Sequence, residues 1–324
     1  MNYGISYMGS KTAIAEELID LLPSGKRFVD LFGGGFAMSH CALLSGKYES
    51  VFYNEINPLV VELIRKAING DYNYDRFKPE FITREKFFEL KDKDGYVAYI
   101  WSFGNIGRTY LFGKDIEKHK QSLHNAVVFE DYSEAIKIND AFANIKGDTI
   151  KGRRLSCMKI IRQNLKNRCD LQHLRRLQRL QQLQQLERLQ QLEQLERLQQ
   201  LQQLQQLQRV ERLQQLEQLE RLQQLELNCG TYLDYEYKDG DIVYCDPPYE
   251  DTEKYCENGF NHQEFYDWVA SRPYDVYFSS YLIKDDRFFN VNQKSKRVTL
   301  SSTNNIKKNI EILYCNNNHK LMLF

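Results

Sequence analysis

The sequence predicts an α/β fold in which parallel strands form a Rossmann-like sheet, joined by a smaller module and an inserted repeat. Strand and helix signals alternate over residues 1 to about 90, with only short turns between them. Strand signals return after residue 226. Alternating elements with short connections are typical of strand–helix–strand units, whose strands lie parallel in one sheet. The 324 residues are enough for one large domain or two modest domains with a real core.

Apolar periodicity and turn residues delimit the individual elements. Before the repeat we predict a helix over 12–22, a strand over 27–32 that runs into a glycine turn, a helix over 36–44, a strand over 50–53 and a helix over 58–68. After the repeat we predict strands over 226–229, 241–245, 276–281 and 297–300. Residues 311–315 and 320–324 are expected to pair as a closing hairpin.

Residues from about 95 to 168 contain fewer apolar residues and more Lys, Arg, Asn and Asp, which predicts a smaller helical or irregular module. Basic residues concentrate between Lys151 and Arg179. Such a concentration is either a solvated helix face or a surface that contacts phosphates, and the sequence leaves both readings open.

Residues 171–225 form a repeat in which every third residue is Leu, with Val210 as the single substitute. Leu, Gln, Glu and Arg are good helix formers, but an α-helix turns about 100° per residue, so each step of three falls about 60° short of a full turn. The leucines would then spiral around a helix and form no single apolar stripe. We therefore predict a small solenoid with an inward column of leucines, with a helix or disorder as the alternatives.

The polar residues between the leucines bear on the role of the repeat. Arg and Glu nearly balance between the leucines, so the repeat is neither an imitation of DNA nor a strong polycation. We expect a rigid spacer, and the alternative is a surface that binds a protein partner.

Composition excludes several classes of protein. Lys plus Arg equals Asp plus Glu at 44 each, so the total charge neither supports nor excludes binding to nucleic acid. Seven scattered cysteines without a CxxC pair argue against disulfides and a metal site, and a reducing cytoplasm is expected. We see no leader and no apolar run approaching the roughly 20 residues of a membrane span, so we expect no membrane association.

The stretch Asp246-Pro247-Pro248-Tyr249 carries the strongest chemical signal. It follows an apolar run over 241–245 that is predicted to be a buried strand. Each proline fixes φ and removes an N–H group, so the loop presents a carboxylate, carbonyl acceptors and an aromatic face. That surface suits a flat molecule with an NH₂ group, such as an adenine rotated out of a nucleic-acid stack.

A second signal is the glycine turn Phe32-Gly33-Gly34-Gly35, which follows Asp30 at the end of a predicted strand. Glycine permits positive φ and lets a ligand approach the backbone, although a structural tight turn explains the same residues. The spacing does not fit a dinucleotide fingerprint, which disfavours an NAD-type dehydrogenase. Glu55 ends the next predicted strand, where an acid can bind ribose hydroxyls; the alternative is a helix N-cap region served by Asn54 or Asn57.

Four motifs in this order resemble the DNA N6-adenine methyltransferases of the Dam type, which use S-adenosylmethionine. The motifs are Tyr7-Met8-Gly9-Ser10-Lys11, Asp30-Leu31-Phe32-Gly33-Gly34-Gly35, Asn54-Glu55-Ile56-Asn57 and Asp246-Pro247-Pro248-Tyr249. The resemblance covers residues 1–168 and 226–324 and does not include the repeat. It implies a cofactor-binding core over 1–94, a target-recognition module over 95–168, a repeat insertion over 169–226 and a catalytic core over 227–324.

The resemblance also implies roles for individual residues. Tyr7 and Lys11 would lie near the cofactor, Asp30 and Phe32 to Gly35 would hold its methionine part, and Glu55 would bind its ribose. Asp234, with Tyr232 nearby, would lie against the adenine ring of the cofactor. Asp246, Pro247, Pro248 and Tyr249 would bind the target adenine beside the cofactor. Candidates for contacts with double-stranded DNA in the recognition module are Asn105, Arg108, Arg153 and Arg154.

Two other functions stay open at this point. The same loop would serve a methyltransferase that acts on RNA adenine or on a protein amide, because it would accept any planar NH₂ group. Alternatively, the chain is a non-catalytic interaction protein built around its repeat. The sequence specifies neither the DNA site, nor a restriction partner, nor an oligomeric state.

Overall fold

A computed structural model describes residues 2–178, 205–217, 222–249, 260–297 and 308–317. Within these ranges the fold is mixed α/β, with one seven-stranded sheet in the order β3-β2-β1-β4-β5-β7-β6. The strands are β1 Gly25–Asp30, β2 Tyr48–Glu55, β3 Leu225–Cys229, β4 Asp241–Cys245, β5 Val276–Ser280, β6 Phe289–Arg297 and β7 Lys308–Cys315. The neighbours from β3 through β5 pair in parallel, whereas β7 runs antiparallel to both β5 and β6.

Helices cover the sheet and build the module beside it. The helices are α1 Ala15–Leu21, α2 Ala37–Ser45, α3 Pro58–Ile68, α4 Arg84–Leu90, α5 Gly95–Ile100, α6 Glu117–Val128, α7 Ser133–Ile138, α8 Ile150–Gln178, α9 Gln205–Glu217 and α10 His262–Ala270. Short 3₁₀ turns lie at Phe103–Asn105, Lys114–Ile116, Asp140–Asn144, Leu222–Gln224 and Tyr232–Asp234. Buried side chains form two clusters around the sheet and a third in the module.

Local sequence determines the clearest boundaries. Helix α3 has the predicted bounds because the Asn57 side chain accepts a hydrogen bond from the Leu59 N–H at 3.0 Å and Pro58 opens the first turn. Strand β4 also has its predicted bounds, and its central residues Val243 and Tyr244 are fully buried. The predicted hairpin partner of residues 311–315 was wrong, because β7 pairs with β6 and β5. Residues 320–324 and 298–300 lie outside the described ranges.

Residues 171–178 and 205–217 of the repeat are α-helical, so the predicted solenoid is wrong for these residues. Residues 171–178 continue α8, and residues 205–217 form α9. Residues 179–204 lie outside the described ranges. A leucine period of three is unfavourable for a solvated helix, which needs one apolar stripe. It is compatible with α9, because α9 is buried.

Apolar side chains of α9 are buried toward two different clusters. Leu207 packs in the module, and Val210, Leu213 and Leu216 pack in the core beside the sheet, all at 0% exposure. Three steps of about −60° spread these four side chains over about half the helix circumference. A helix wedged between two apolar bodies needs such a wide buried face, so a spacer role does not describe residues 205–217.

Two residues distinguish α9 from an earlier copy of its own sequence. Residues 181–201 repeat residues 205–225 except that Gln185 stands in place of Arg209 and Leu186 in place of Val210. Arg209 is buried, and its guanidinium donates to the Ile100 carbonyl at 2.7 Å and the Ser102 carbonyl at 2.9 Å. The second copy thus carries a side chain on which the core depends and which the first copy lacks.

Candidate active site

The strand order reverses between β1 and β4, and the predicted site residues lie at the carboxyl ends of these two strands. Asp30 ends β1, pairs in register with Tyr244 of β4, and is followed by the glycine turn. Asp246 follows β4 directly. Ligands of open α/β sheets bind in the crevice outside such a switch point, because the connections there lead to opposite faces of the sheet.

The glycine turn is shaped by contacts with two tyrosines. A side chain at Gly33 would lie 2.1 Å from the Tyr53 ring, and one at Gly35 would lie 2.5 Å from Cβ of Tyr7. Gly34 has a φ of +44°, and its carbonyl accepts the Tyr53 hydroxyl at 2.9 Å. Close packing and a left-handed backbone therefore require glycine in this turn. The glycines thus have a structural role, which is compatible with a ligand bound beside them.

Glu55 is buried behind this turn and supports it. One carboxylate oxygen accepts the Gly34 N–H at 2.9 Å, and the other accepts the Asn57 N–H at 3.0 Å. Burial raises the pKa of Glu55. Because Asn57 caps α3 by itself, Glu55 is not needed as a cap. A carboxylate has about four acceptor positions, so capacity remains for hydroxyl donors.

Asp30 presents a buried acceptor without a donor. Its Oδ2 accepts the Ser39 hydroxyl at 2.7 Å, whereas its Oδ1 has no hydrogen-bond partner among the described residues. The residue is 1% exposed, and burial raises its pKa to about 7. An unsatisfied buried acceptor is costly, so this oxygen fits a ligand that brings a cationic or N–H donor.

Lys11 joins the N-terminal segment to the loop after β4. Its Nζ lies 2.6 Å from Oδ2 of Asp246, 3.2 Å from Oε1 of Glu311 and 4.9 Å from the centre of the Tyr249 ring. The residue is buried, which by itself lowers the pKa of Lys11, but the two carboxylates outweigh burial and raise it. Lys11 is therefore a charged ammonium between two acids.

The loop after β4 is held from several sides. The Tyr249 hydroxyl lies 2.7 Å from Oε1 of Glu311 and 3.0 Å from Oδ1 of Asp246, and its ring packs edge-on against Tyr281 at 4.6 Å. Asp246 keeps 18% of its side chain exposed. Burial, with Glu311, raises the pKa of Asp246, and Lys11 opposes that rise.

The two prolines of the loop lie between these groups. Pro247 is buried, and the Pro248 carbonyl lies 2.8 Å from Nε2 of His262, at the start of α10. These contacts leave Asp246 partly accessible at the mouth of the crevice while its backbone is held in place.

Other predicted residues line the same edge of the sheet. The Phe32 ring stacks on Tyr232 at 5.3 Å and packs against Phe265. Asp234 is exposed in the turn after β3, where a side chain at Gly230 would lie 3.7 Å from its Oδ2. Asp234 therefore lies at the outer side of this edge of the sheet, near the end of β2. Tyr232 is one of the apolar side chains that line the same edge.

Two of the four candidates for DNA contact are used inside the protein. Arg153 is buried, and its guanidinium donates to the Val127 carbonyl at 2.7 Å. Arg154 forms two 2.7 Å hydrogen bonds with Glu211 of α9. Asn105 donates to the Tyr99 carbonyl at 2.8 Å, and Arg108 is exposed in the loop between the bridged residues 102 and 110.

Sequence reasoning missed Glu311 and His262. Glu311 interrupts the apolar run Ile310-Glu311-Ile312-Leu313-Tyr314. A charge in a buried strand is rare unless it is paired, so this interruption was a usable signal. His262 had no comparable signal, because its contact with Pro248 depends on where α10 begins.

A mostly parallel α/β sheet, with a glycine turn and an acidic loop that ends in an aromatic residue at its switch point, is consistent with the class of S-adenosylmethionine-dependent methyltransferases. Residues 7–154 match the model of a family described as D12 class N6 adenine-specific DNA methyltransferase. The protein is thus an enzyme that transfers a methyl group from S-adenosylmethionine to N6 of adenine in DNA.

The matched segment includes Tyr7, Lys11, Asp30, the glycine turn and Glu55, and it ends before Asp246. The loop after β4 is joined to it by the contacts of Lys11 described above. No helix among the described residues is long and apolar enough to span a membrane.

Proposed function

We propose that the loop Asp246-Pro247-Pro248-Tyr249 binds an adenine that is rotated out of double-stranded DNA, and that Asp246 accepts a hydrogen bond from its amine. The main support is the position of Asp246 at the switch point, two residues beyond Tyr244, which pairs with Asp30. Its side chain is partly exposed and held by Lys11. The Pro247 carbonyl would accept the second amine hydrogen, Pro248 would hold the loop against His262, and the Tyr249 ring would stack on the base.

The cofactor would bind along the carboxyl ends of β1, β2 and β3. The donor-free Oδ1 of Asp30 fits the ammonium group of a methionine part. The turn from Phe32 through Gly33, Gly34 and Gly35 would border that part beside Tyr7, and Glu55 would bind the ribose hydroxyls. Asp234 would lie near the adenine ring. When bound, S-adenosylmethionine supplies a methyl group on a positively charged sulfur.

The residues of the loop assist transfer mainly by positioning. The N6 lone pair of adenine is delocalised into its ring and is a poor nucleophile. Two acceptors on the amine hydrogens would hold the nitrogen and favour a more tetrahedral geometry. Lys11 opposes the rise that burial causes in the pKa of Asp246 and so favours its carboxylate form, which can accept the hydrogen bond and then the released proton.

The module over residues 95–168 would contact DNA through its exposed residues. Arg108 is the clearest of the candidates, because its side chain is exposed, whereas Arg153 is buried and Arg154 is mostly covered. A protein partner of the repeat would have to use surfaces other than the buried face of α9. Five cysteines are free thiols, which supports a reducing compartment such as the cytoplasm: Cys41, Cys157, Cys229, Cys245 and Cys315.

The central test replaces Asp246 by Ala and by Asn. We expect methylation of DNA adenine to fall by about 10²-fold or more, while calorimetry shows S-adenosylhomocysteine bound as in the unchanged protein. Asp239→Ala is the matched control, because the Asp239 side chain is fully exposed. Retained turnover in both Asp246 variants would refute the assigned role.

Base rotation is tested separately. Sequencing of methylated bases in a host that expresses the chain identifies the target site. DNA with 2-aminopurine at the target adenine should then become more fluorescent when the protein binds, because an unstacked base is less quenched. Unchanged fluorescence on saturated DNA would contradict the rotated base.

A further inference from the structure

Glu311 is a buried acid outside the four motifs that led to the site. It lies on β7, which runs antiparallel to β5 with Ile312 paired to Ser280 at the end of β5. This direction brings the beginning of β7 to the edge of the sheet where the parallel strands end. Glu311 is 6% exposed, and its carboxylate contacts both Lys11 and Tyr249.

Glu311 and Asp246 share the same two donors. Lys11 lies 2.6 Å from Asp246 and 3.2 Å from Glu311, and an ammonium has enough hydrogens for both. The Tyr249 hydroxyl lies 3.0 Å from Asp246 and 2.7 Å from Glu311, but a phenol has one hydrogen to donate. The two carboxylates therefore compete for that hydrogen, and the shorter contact favours Glu311.

We propose that Glu311 is a positioning residue for methyl transfer: it takes the Tyr249 hydroxyl hydrogen and thereby leaves Oδ1 of Asp246 open for the adenine amine. Without Glu311, Asp246 would have Lys11 on one oxygen and Tyr249 on the other. The incoming amine would then have to displace a donor before it could bind. This inference rests on the role proposed above for Asp246.

The charge of Glu311 has a second consequence for the proton that leaves the amine. During transfer, N6 forms a bond to the methyl carbon, and the bond between that carbon and sulfur breaks with its electron pair going to sulfur. The proton released from N6 passes to Oδ1 of Asp246. With both carboxylates ionised, Lys11, Asp246 and Glu311 together carry one net negative charge before this step and none after it, so the cluster takes up the proton by becoming neutral.

The test compares Glu311→Gln with the unchanged protein and with Glu226→Gln, a control whose side chain is 60% exposed. Gln keeps the shape but removes the charge and weakens the acceptor for Tyr249. We expect kcat to fall about tenfold or more, the scale of one hydrogen bond to a charged group. Binding of S-adenosylhomocysteine, measured by calorimetry, should stay unchanged.

A pH profile separates this role from a merely structural one. The described ionisable groups that interact with Asp246 are Lys11, Glu311 and Tyr249, together with Asp30 at the end of β1 and Tyr244 and Cys245 on β4. Glu311 raises the pKa of Asp246. Its replacement by Gln should therefore move the acidic limb of kcat to lower pH. Glu311→Asp keeps the charge, so its acidic limb should stay near that of the unchanged protein.

Tyr249→Phe supplies the remaining arm, because it removes the hydrogen for which the two acids compete. Glu311→Gln should then cost less in the Tyr249→Phe background than alone. Unchanged kcat in Glu311→Gln, an unmoved acidic limb, or equal costs in both backgrounds would each overturn the inference. Asp246→Ala with retained turnover would instead overturn the proposed role of Asp246.

Discussion

Replacement of Leu213 by Ala tests whether the end of the repeat belongs to the core of the enzyme. Leu213 lies in the middle of α9, is fully buried, and packs in the cluster beside the sheet. Truncation of a buried Leu costs about 2–5 kcal/mol, because apolar contact is lost and a cavity remains. The higher helix propensity of Ala returns only a few tenths of a kcal/mol. We therefore expect a net loss of about 2–5 kcal/mol in the free energy of unfolding.

Urea unfolding followed by circular dichroism measures this loss, and methylation assayed below the transition shows whether the site survives. Gln215→Ala is the control in the same helix, because Gln215 is exposed and its replacement should change stability by less than about 0.5 kcal/mol. An unchanged midpoint for Leu213→Ala would refute the placement of residues 205–217 in the core.

Three further predictions concern charge. Lys11→Met leaves Asp246 and Glu311 without their counter-ion, so methylation should be lost. The free energy of unfolding should fall by about 3–5 kcal/mol at pH 8. The loss should be smaller at pH 5, because one of the two carboxyl groups can then take up a proton. Burial raises the pKa of Asp30 to about 7, so the stability from its protonated form is complete below about pH 4 and lost as pH rises through 7. Asp30→Asn should remove this pH-dependent change in the free energy of unfolding, which totals up to about 4 kcal/mol and is measured by urea unfolding across that range. Arg108→Ala should weaken DNA binding and reduce its salt slope by about 1 in fluorescence titrations; an unchanged slope would exclude a phosphate contact.

Much of the core was predictable because its signals are local. Asn57 and Pro58 define the start of α3 within three residues of chain, and the apolar run over 241–245 defines β4. The order of Asp30, the glycine turn, Glu55 and Asp246 also predicted a common edge, because the ends of parallel strands meet there. Such inferences need only neighbouring residues and a general rule about sheets.

The repeat shows where local reasoning fails. A period of three does not give the single apolar stripe of a solvated helix. Helix α9 is instead buried by the module on one side and by the core on the other, so it needs no single stripe. The copy of the repeat that packs between the module and the core is also determined by groups far away in the sequence. Nη1 of Arg209 donates to carbonyls about a hundred residues earlier in the chain.

The sequence alone determined the class of fold, the chemistry of the motifs and their order, because these depend on residue types and short spacings. Only the tertiary structure decided that β7 runs antiparallel and brings Glu311 to Lys11, that Arg153 and Arg154 have internal partners, and that the end of the repeat lies in the core. These features depend on contacts between residues far apart in the chain, and no local pattern specifies which distant groups will meet.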